Sequence, residues 1–188
     1  MFFKKFKFTL LLVLLSVGIT PAAAQFTPQF DLINAVNSND IEEMKEIFRT
    51  RNVTPDVKRK SDGLPILVMA VDKRNYEAVE FLLEKGANVN ARYREDKSTA
   101  LMHAAAMGNS RLVNLLLKYE PDVNMRDSKN ESALIKGVRA RRTGVVEALI
   151  RAGADVNGGD ITGKTAMDYA RKNGSRRMKN MLEAAGAQ

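Results

Sequence analysis

The chain has 188 residues, 45% of them hydrophobic, so it can bury a core and is not a disordered polypeptide. It contains no cysteine, which excludes disulfides, thiolate metal sites and a cysteine nucleophile. The formal net charge is +8, and from Lys129 to the C-terminus twelve basic residues stand against six acidic ones. This excess in the last third predicts an acidic partner surface or an anionic polymer as ligand.

Residues 1–24 have the layout of a cleaved secretory signal peptide. Three early lysines precede an apolar run from Thr9 to Ile19, and Pro21 is followed by three alanines that match an A-x-A cleavage site. The apolar run is shorter than the ~20 residues that a membrane span needs. We expect cleavage before Gln25 and no membrane span in the mature chain. Retention of the segment as an uncleaved anchor is the alternative.

Four similar segments follow along the chain. Anchored on Pro65, Thr99, Ser132 and Thr165, they are spaced by 34, 33 and 33 residues. Three anchors are hydroxyl residues, which can cap a helix by accepting a backbone N–H. Each anchor is followed by a short apolar helix and then by a second helix with apolar residues at i, i+3 and i+4.

The second helices end in turn signals. Gly86 and Gly153 fit a left-handed helix stop. The sequences Asp122-Val123-Asn124 and Asp155-Val156-Asn157 favour turns in which Asp and Asn side chains bond their own backbone. One such unit cannot bury both of its helices, whereas stacked units can. The sequence therefore predicts an all-α stack of helix–turn–helix units.

The T-A-L-x-x-A start at Thr99, the V-x-x-L-L-L helix and the G-A-D-V-N end, repeated about every 33 residues, resemble the ankyrin repeat family. The resemblance implies an all-α ankyrin-repeat solenoid with projecting hairpin-like loops, spanning 25–188. We place a degenerate N-terminal unit at about 28–61. Complete repeats are expected at about 62–95, 96–128, 129–161 and 162–188.

The chain departs from the family pattern at several positions. The histidine that usually follows T-P-L is absent, and its place is taken by Val68, Met102, Ile135 and Asp168. Gly137 replaces a helical alanine, which costs about 1 kcal/mol of helix propensity. We therefore predict that the unit at 129–161 is the least stable.

Residues 158–165 match the phosphate-loop pattern G-x-x-x-x-G-K-[ST]. A phosphate loop follows a buried strand and opens a long helix, but here a helix and a turn precede it. The same letters suit a repeat loop, with glycine for the turn and Thr165 for the cap. We favour the loop interpretation and expect no cofactor.

His103 is the only histidine, so it cannot form a multi-histidine metal site or a Cys–His pair. Nothing in the sequence indicates an oriented serine and acid beside it. A packed residue and a partner contact remain as its two interpretations, and no catalytic residue is predicted.

The cluster Arg139-Ala140-Arg141-Arg142 also has two interpretations. It is either a solvated loop or an anion-binding patch formed with Lys136, Lys164, Arg171 and Lys172. Nucleic acid is disfavoured because stacking aromatics are few and the chain is expected to be exported.

The resemblance implies that a partner binds the concave side, formed by the first helices and the loops. Positions four, seven and eight after each anchor are expected to be exposed there. The alternative is that these residues are exposed without binding anything. The candidate partner-binding residues are Met69, Asp72, Tyr93, Arg94, His103, Met107, Arg126, Lys136, Arg139, Tyr169 and Lys172.

These features favour a non-enzymatic protein–protein interaction module in the bacterial periplasm, acting as adaptor, stabiliser or inhibitor of an envelope protein. A secreted effector that binds proteins of another cell is the alternative, and an enzyme is the third class. The expected partner is a protein, with an acidic surface as one option, and a monomer is favoured over an oligomer.

Overall fold

The computed structural model describes residues 27–188, so the predicted signal peptide lies outside the described residues. Ten α-helices fill this range. Within it there is no strand, only one isolated antiparallel bridge between Lys58 and Pro65. No helix between residues 27 and 188 is long and apolar enough to cross a membrane.

The ten helices form five consecutive pairs, which we number as units one to five. Their bounds are α1 (Pro28–Ser38) and α2 (Ile41–Thr50), α3 (Ile66–Asp72) and α4 (Tyr76–Glu84), α5 (Ala100–Ala106) and α6 (Ser110–Leu117), α7 (Ala133–Arg139) and α8 (Thr143–Arg151), and α9 (Ala166–Lys172) and α10 (Arg176–Ala184).

The pairs stack in two layers. The first helices α1, α3, α5, α7 and α9 each pack on the next, and α6, α8 and α10 pack in the same way in the second layer. Leucine, isoleucine, valine, alanine and methionine fill the space between helices, and this core is continuous from Leu32 to Leu182. The predicted all-α solenoid is confirmed, and the degenerate first unit belongs to it because Leu32 and Met44 are fully buried.

The predicted helix caps are also confirmed. The hydroxyl oxygens of Thr99, Ser132 and Thr165 each accept a hydrogen bond from the backbone N–H three residues ahead. At the second helices, side chains such as Asn109 do the same, but Arg142, which precedes α8, makes no side-chain cap. The fourth unit therefore lacks a hydrogen bond that α4, α6 and α10 have.

Left-handed backbone ends most helices. Gly86 and Gly153 have φ of +85° and +84°, as their positions after α4 and α8 predicted. Between paired helices, Gly108 has φ +66°, whereas Arg141 takes the equivalent turn of unit four with φ +57°. A residue with a Cβ is strained in this region, and Arg74 takes the same turn of unit two with φ +55°, so units two and four share this strain.

The loops between units are hairpin-like, as predicted. The Tyr93 N–H donates to the Ser98 carbonyl at 2.8 Å, and the Asp160 N–H donates to the Lys164 carbonyl at 2.9 Å. Neighbouring loops are joined as well, since the Ser128 N–H donates to the Asp96 carbonyl at 2.7 Å. The loops thus form a second connected layer beside the helices.

The turns that follow the second helices carry a further series of contacts, which we name the turn ladder. Asn90 Oδ1 accepts from the Asp122 N–H at 2.9 Å, and Asn124 Oδ1 accepts from the Asp155 N–H at 2.7 Å. Asp56 and Asn157 make the equivalent bonds at the two ends. The local bonds that the two Asp-Val-Asn sequences predict, from the aspartate side chain to the backbone of its own turn, are also present. The ladder adds contacts from one unit to the next.

Gly137 lies where α7 and α8 approach closely. A Cβ at this position would be 2.9 Å from Val145 Cγ1, closer than such atoms normally come. The glycine therefore weakens α7 but permits the close packing of the two helices. The low stability of unit four stays a prediction, now supported by the uncapped α8.

Candidate partner-binding surface

In units three to five, position four of the first helix lies against the loop of its own unit. The expectation that Met69 is exposed there is wrong, because only 3% of this residue is exposed. It occupies the apolar core between α3 and its neighbours. His103, Lys136 and Tyr169 hold the same position in the next three units, and each is only partly exposed. Their polar atoms contact acidic or hydroxyl groups of the loop.

In unit four this contact is ionic. Lys136 Nζ lies 2.7 Å from Asp127 Oδ2 and 3.1 Å from Glu131 Oε2, and Arg139 pairs with the other oxygen of Glu131. The two acidic side chains are only 3% and 6% exposed. Burial alone would lower the pKa of Lys136, but its hydrogen bonds to both acids outweigh burial and raise it. The charges of Lys136 and Arg139 are therefore largely satisfied within the chain.

In unit five the contact is a hydroxyl–carboxylate hydrogen bond. The Tyr169 hydroxyl donates to Asp160 Oδ2 at 2.5 Å, while Asp160 Oδ1 accepts from the N–H groups of Thr162 and Lys164. These bonds, the Tyr169 bond foremost, hold the pKa of Asp160 well below its usual range. The Arg139 guanidinium lies 5.5 Å from the Tyr169 ring centre, which links units four and five.

In unit three, His103 joins two units. Its Nδ1 lies 2.7 Å from Asp72 Oδ1 at the end of α3, and its Nε2 lies 2.8 Å from Ser98 Oγ. Sequence reasoning did not predict these contacts, because neither Asp72 nor Ser98 shares a motif with His103. The connection Ser98–His103–Asp72 has the order of a hydrolase triad, so its chemistry needs testing against the geometry.

The geometry does not provide a nucleophile. The Ser98 hydroxyl donates to Asp96 Oδ1 at 2.5 Å, so its proton is directed to a carboxylate and not to His103. Burial alone would raise the pKa of Asp96, but hydrogen bonds from Ser98 outweigh burial and lower it. A negative charge beside the oxygen would oppose an oxyanion, and Ser98 is only 1% exposed. The group works as a bridge between α3, α5 and the loop.

The phosphate-loop letters at 158–165 form a repeat loop. The Arg126 guanidinium donates to the Gly159 carbonyl at 3.0 Å and to Asp155 Oδ2 at 3.1 Å. A Cβ on Gly158 would overlap this guanidinium. Thr165 caps α9, which has only seven residues. The glycine therefore makes room for Arg126 of the neighbouring loop.

The remaining candidates are more accessible. Arg94 and Lys172 are exposed, and Met107 is half-buried. Tyr93 is half-buried, with its hydroxyl 3.4 Å from Asp62 Oδ2. Hydrogen bonding to Glu95, burial and the nearby Asp62 raise the pKa of Tyr93 to about 12.

Position seven of the first helix is exposed in all four repeats. We name these side chains, together with the position-eight residues beside them, the first-helix surface. Its position-seven members are Asp72, Ala106, Arg139 and Lys172, and its position-eight members are Lys73, Met107, Ala140 and Asn173. The surface runs along the first layer from α3 to α9, so it offers a continuous contact area.

Sequence reasoning missed a second basic region. Lys58 and Lys60 of the loop before α3 lie beside Arg94 and Lys97 of the next loop, around one shallow cavity. Residues 25–128 carry fifteen basic and sixteen acidic residues, so their near-zero sum hides this local excess. Only the folded loops bring these cations together.

The described residues contain no group of three or more histidine, aspartate or glutamate side chains placed to hold a metal ion. Two layers of paired helices, hairpin-like loops and a continuous exposed row of first-helix side chains define a class of helical repeat protein. A model of ankyrin repeats (three copies) matches residues 32–127 and 101–188. The chain belongs to the ankyrin-repeat family, whose members are generally non-enzymatic modules for protein–protein interaction.

Three relatives illustrate the range of this similarity. The chain is 39% identical over 135 residues to the nuclear factor NF-kappa-B p105 subunit of Gallus gallus, covering 69% of this chain and 14% of that protein. It is 32% identical over 109 residues to a putative ankyrin repeat-containing protein of Treponema pallidum, covering 58% of this chain and 37% of that protein. It is 32% identical over 124 residues to the B-cell lymphoma 3 protein homolog of Mus musculus, covering 66% and 27% respectively. The chain thus spans only 14% to 37% of the length of these three relatives.

Proposed function

We propose that the chain is a non-enzymatic binding module of the bacterial periplasm, which acts as adaptor, stabiliser or inhibitor of an envelope protein. The observation that carries the binding role is the continuous first-helix surface, in a family of protein-interaction modules. The signal-peptide layout of residues 1–24 supports the location.

Contacts within the chain limit which side chains of the first-helix surface are available to a partner. Asp72 contacts His103, and Arg139 contacts Glu131, so both have partners within the chain. Lys73 and Lys172 are exposed and form no ion pair with another described residue. The exposed Ala106 and half-buried Met107 lie between them along the layer and supply apolar area. We expect a partner to contact this central apolar part first.

Photo-crosslinking in cells tests the surface. A benzoylphenylalanine placed at Ala106 or at Lys172 is expected to crosslink to one envelope protein. The matched control is Asn114, an exposed residue of α6 in the second layer. Equal crosslinking from Asn114 would contradict the proposed surface, and crosslinking to no protein from any of the three would contradict the binding role.

Fractionation tests the location and the processing together. A C-terminally tagged chain is expected in the periplasmic fraction with Gln25 as its first residue, because the A-x-A site ends at Ala24. A full-length chain in the membrane fraction would instead support the uncleaved anchor. A full-length chain in the cytoplasm would contradict export. Sedimentation of the purified mature chain tests the expected monomer.

A further inference from the structure

At the N-terminal end of the stack, a cavity of about 320 Å³ opens between α1 and the loop that precedes α3. Phe30 and Ile33 of α1 supply its apolar wall, and Lys58 and Lys60 of the loop line it as well. Phe30 is 43% exposed, although large apolar side chains elsewhere in residues 27–188 are buried or half-buried, apart from Ile161. The cavity combines an uncovered aromatic ring with nearby cations.

The same loop borders a second, shallower cavity of about 520 Å³. Arg94 and Lys97 of the following loop line its far side. No aspartate or glutamate lines either cavity. Lys58, Lys60, Arg94 and Lys97 also form no ion pair with another described residue. We name the two adjoining cavities the basic hollow.

The walls of the basic hollow are held in place by the fold. Arg59 binds Asp62 through two hydrogen bonds, and the Leu64 N–H donates to the same carboxylate at 3.1 Å. The Arg94 side chain lies against Gly63, where an added Cβ would be 3.1 Å from Arg94 Cβ. Gly63 has φ +79°, which glycine adopts without strain. Little ordering of the loop is therefore needed when a ligand binds.

We propose that the basic hollow binds an acidic peptide segment of the partner protein. A bulky apolar side chain of that segment contacts Phe30 and Ile33, and its carboxylates lie along Lys58, Lys60, Arg94 and Lys97. The inference rests on the proposed function and names the chemistry of the partner.

Charge complementarity selects this occupant. Four cations without internal carboxylate partners attract a ligand rich in aspartate and glutamate, and the apolar wall requires a side chain to cover it. The chain's own N-terminal segment does not supply this ligand, because neither the uncleaved residues 1–26, with three lysines, nor Gln25 and Phe26 of the cleaved chain contain an acidic residue. A second copy of the same hollow would repel it for the same reason.

The probe is a fluorescein-labelled peptide of ten residues with six glutamates and one central phenylalanine, titrated with the mature chain in 50 mM salt and followed by anisotropy. We expect saturable binding. Replacing the peptide's phenylalanine by alanine, or its glutamates by glutamines, should each weaken binding by about tenfold or more. Added salt should weaken the binding of the glutamate peptide but not that of the glutamine peptide.

Two protein variants locate the binding. Phe30→Ser and Lys58→Glu/Lys60→Glu should each weaken peptide binding by about tenfold or more. The matched controls are Ile161→Ser, at the other exposed large apolar residue, and Lys118→Glu/Lys164→Glu, with the same change in net charge. Both controls should bind the peptide as the unmodified chain does. Circular dichroism verifies that every variant is folded.

Several outcomes would overturn the inference. Peptide affinity that is equal in the two hollow variants and the two controls would place the site elsewhere. The unmodified chain could instead sediment with vesicles that contain phosphatidylglycerol and fail to bind the peptide. If Lys58→Glu/Lys60→Glu then no longer sediments with the vesicles, the hollow binds a lipid surface. A crosslinked envelope partner that binds both hollow variants normally would refute the hollow and leave the proposed function intact. If no partner is found but the peptide binds as expected, the proposed function fails, the assignment of the peptide to a partner protein fails with it, and the preference of the hollow for acidic peptides stands.

Discussion

The basic residues of unit four and those of the loops near the N-terminus differ in what surrounds them. Lys136 lies between two nearly buried carboxylates, whereas Lys58 and Lys60 line a cavity without acidic residues. A count of charges along the chain places the basic surface in the last third, but the folded chain neutralises part of it there. Charge pairing after folding, more than local composition, decides where a protein presents its charge.

The largest expected effect comes from removing a carboxylate of unit four. Asp127→Ala leaves Lys136 with one acidic partner and removes the acceptor of two loop N–H groups. Breaking a buried pair in this way costs about 3 kcal/mol. Urea unfolding of the mature chain measures the loss. The double variant Asp127→Asn/Lys136→Met should recover part of it, and a loss under about 1 kcal/mol in Asp127→Ala would show that the pairing is weak.

A smaller effect is expected at Gly137, which lies in α7 between Lys136 and Arg139. An alanine gains about 1 kcal/mol of helix propensity, but its methyl group would be 2.9 Å from Val145 Cγ1. Overpacking of this kind costs about 1–3 kcal/mol, so we expect a small net loss of stability. The double variant Gly137→Ala/Val145→Ala should be less impaired by overpacking. A clear gain in Gly137→Ala alone would mean that the two helices separate without cost.

Hydrogen exchange compares the stability of unit four with that of unit three. Amides of α8 are expected to exchange faster than those of α6, because α8 lacks a side-chain cap whereas Asn109 caps α6. Arg142→Asn should supply the cap and add about 1 kcal/mol of stability. Stronger protection in α8 than in α6 would refute the predicted weakness of unit four.

The loss of stability at acid pH depends on Asp160. Its pKa is held below the usual value of 3.8, so its contribution is complete above that pH and is lost as the pH falls through the folded-state pKa. Asp160→Asn should therefore flatten the fall in thermal midpoint below about pH 4. Tyr169→Phe keeps the ring near Arg139 but removes the hydroxyl donor, and it should flatten this fall in part. If the thermal midpoints of the unmodified chain, Asp160→Asn and Tyr169→Phe fall equally steeply with pH, the hydrogen bond does not have this role.

The smallest effect is expected in the basic hollow. Lys58→Ala/Lys60→Ala should change the free energy of unfolding by no more than about 0.5 kcal/mol, because neither lysine pairs with a described acid. A loss of several kcal/mol would show that these lysines support the fold and are not reserved for a ligand. Urea unfolding beside Asp127→Ala gives the comparison directly.

The parts of the fold that depend on neighbours in sequence could be predicted. The caps at Thr99, Ser132 and Thr165 follow from a hydroxyl group beside a helix start, and the left-handed Gly86 follows from a helix end. The periodic apolar residues then imply stacking, because one unit alone leaves its helices exposed.

The candidate site was less predictable because it depends on contacts that form only when the chain folds. Asp72 meets His103 only after α3 and α5 stack, and Lys136 meets Asp127 only after the loop folds back. Met69 has the same repeat position as Lys136 but carries no polar group, so the core covers it. Repeat position identifies the direction of a side chain, whereas its chemistry and its neighbours decide whether it stays accessible.

The turn ladder has a consequence for how such an array can change in length. Each hydrogen bond of the turn ladder needs one side-chain oxygen in a turn and one backbone N–H in the next turn. These requirements recur from unit to unit. Adding or deleting a complete unit keeps every remaining donor opposite an acceptor, but adding a few residues within a turn displaces one of them. Evolution and protein engineering can therefore lengthen this molecule in whole-unit steps, which extends the first-helix surface without redesign of the contacts between units.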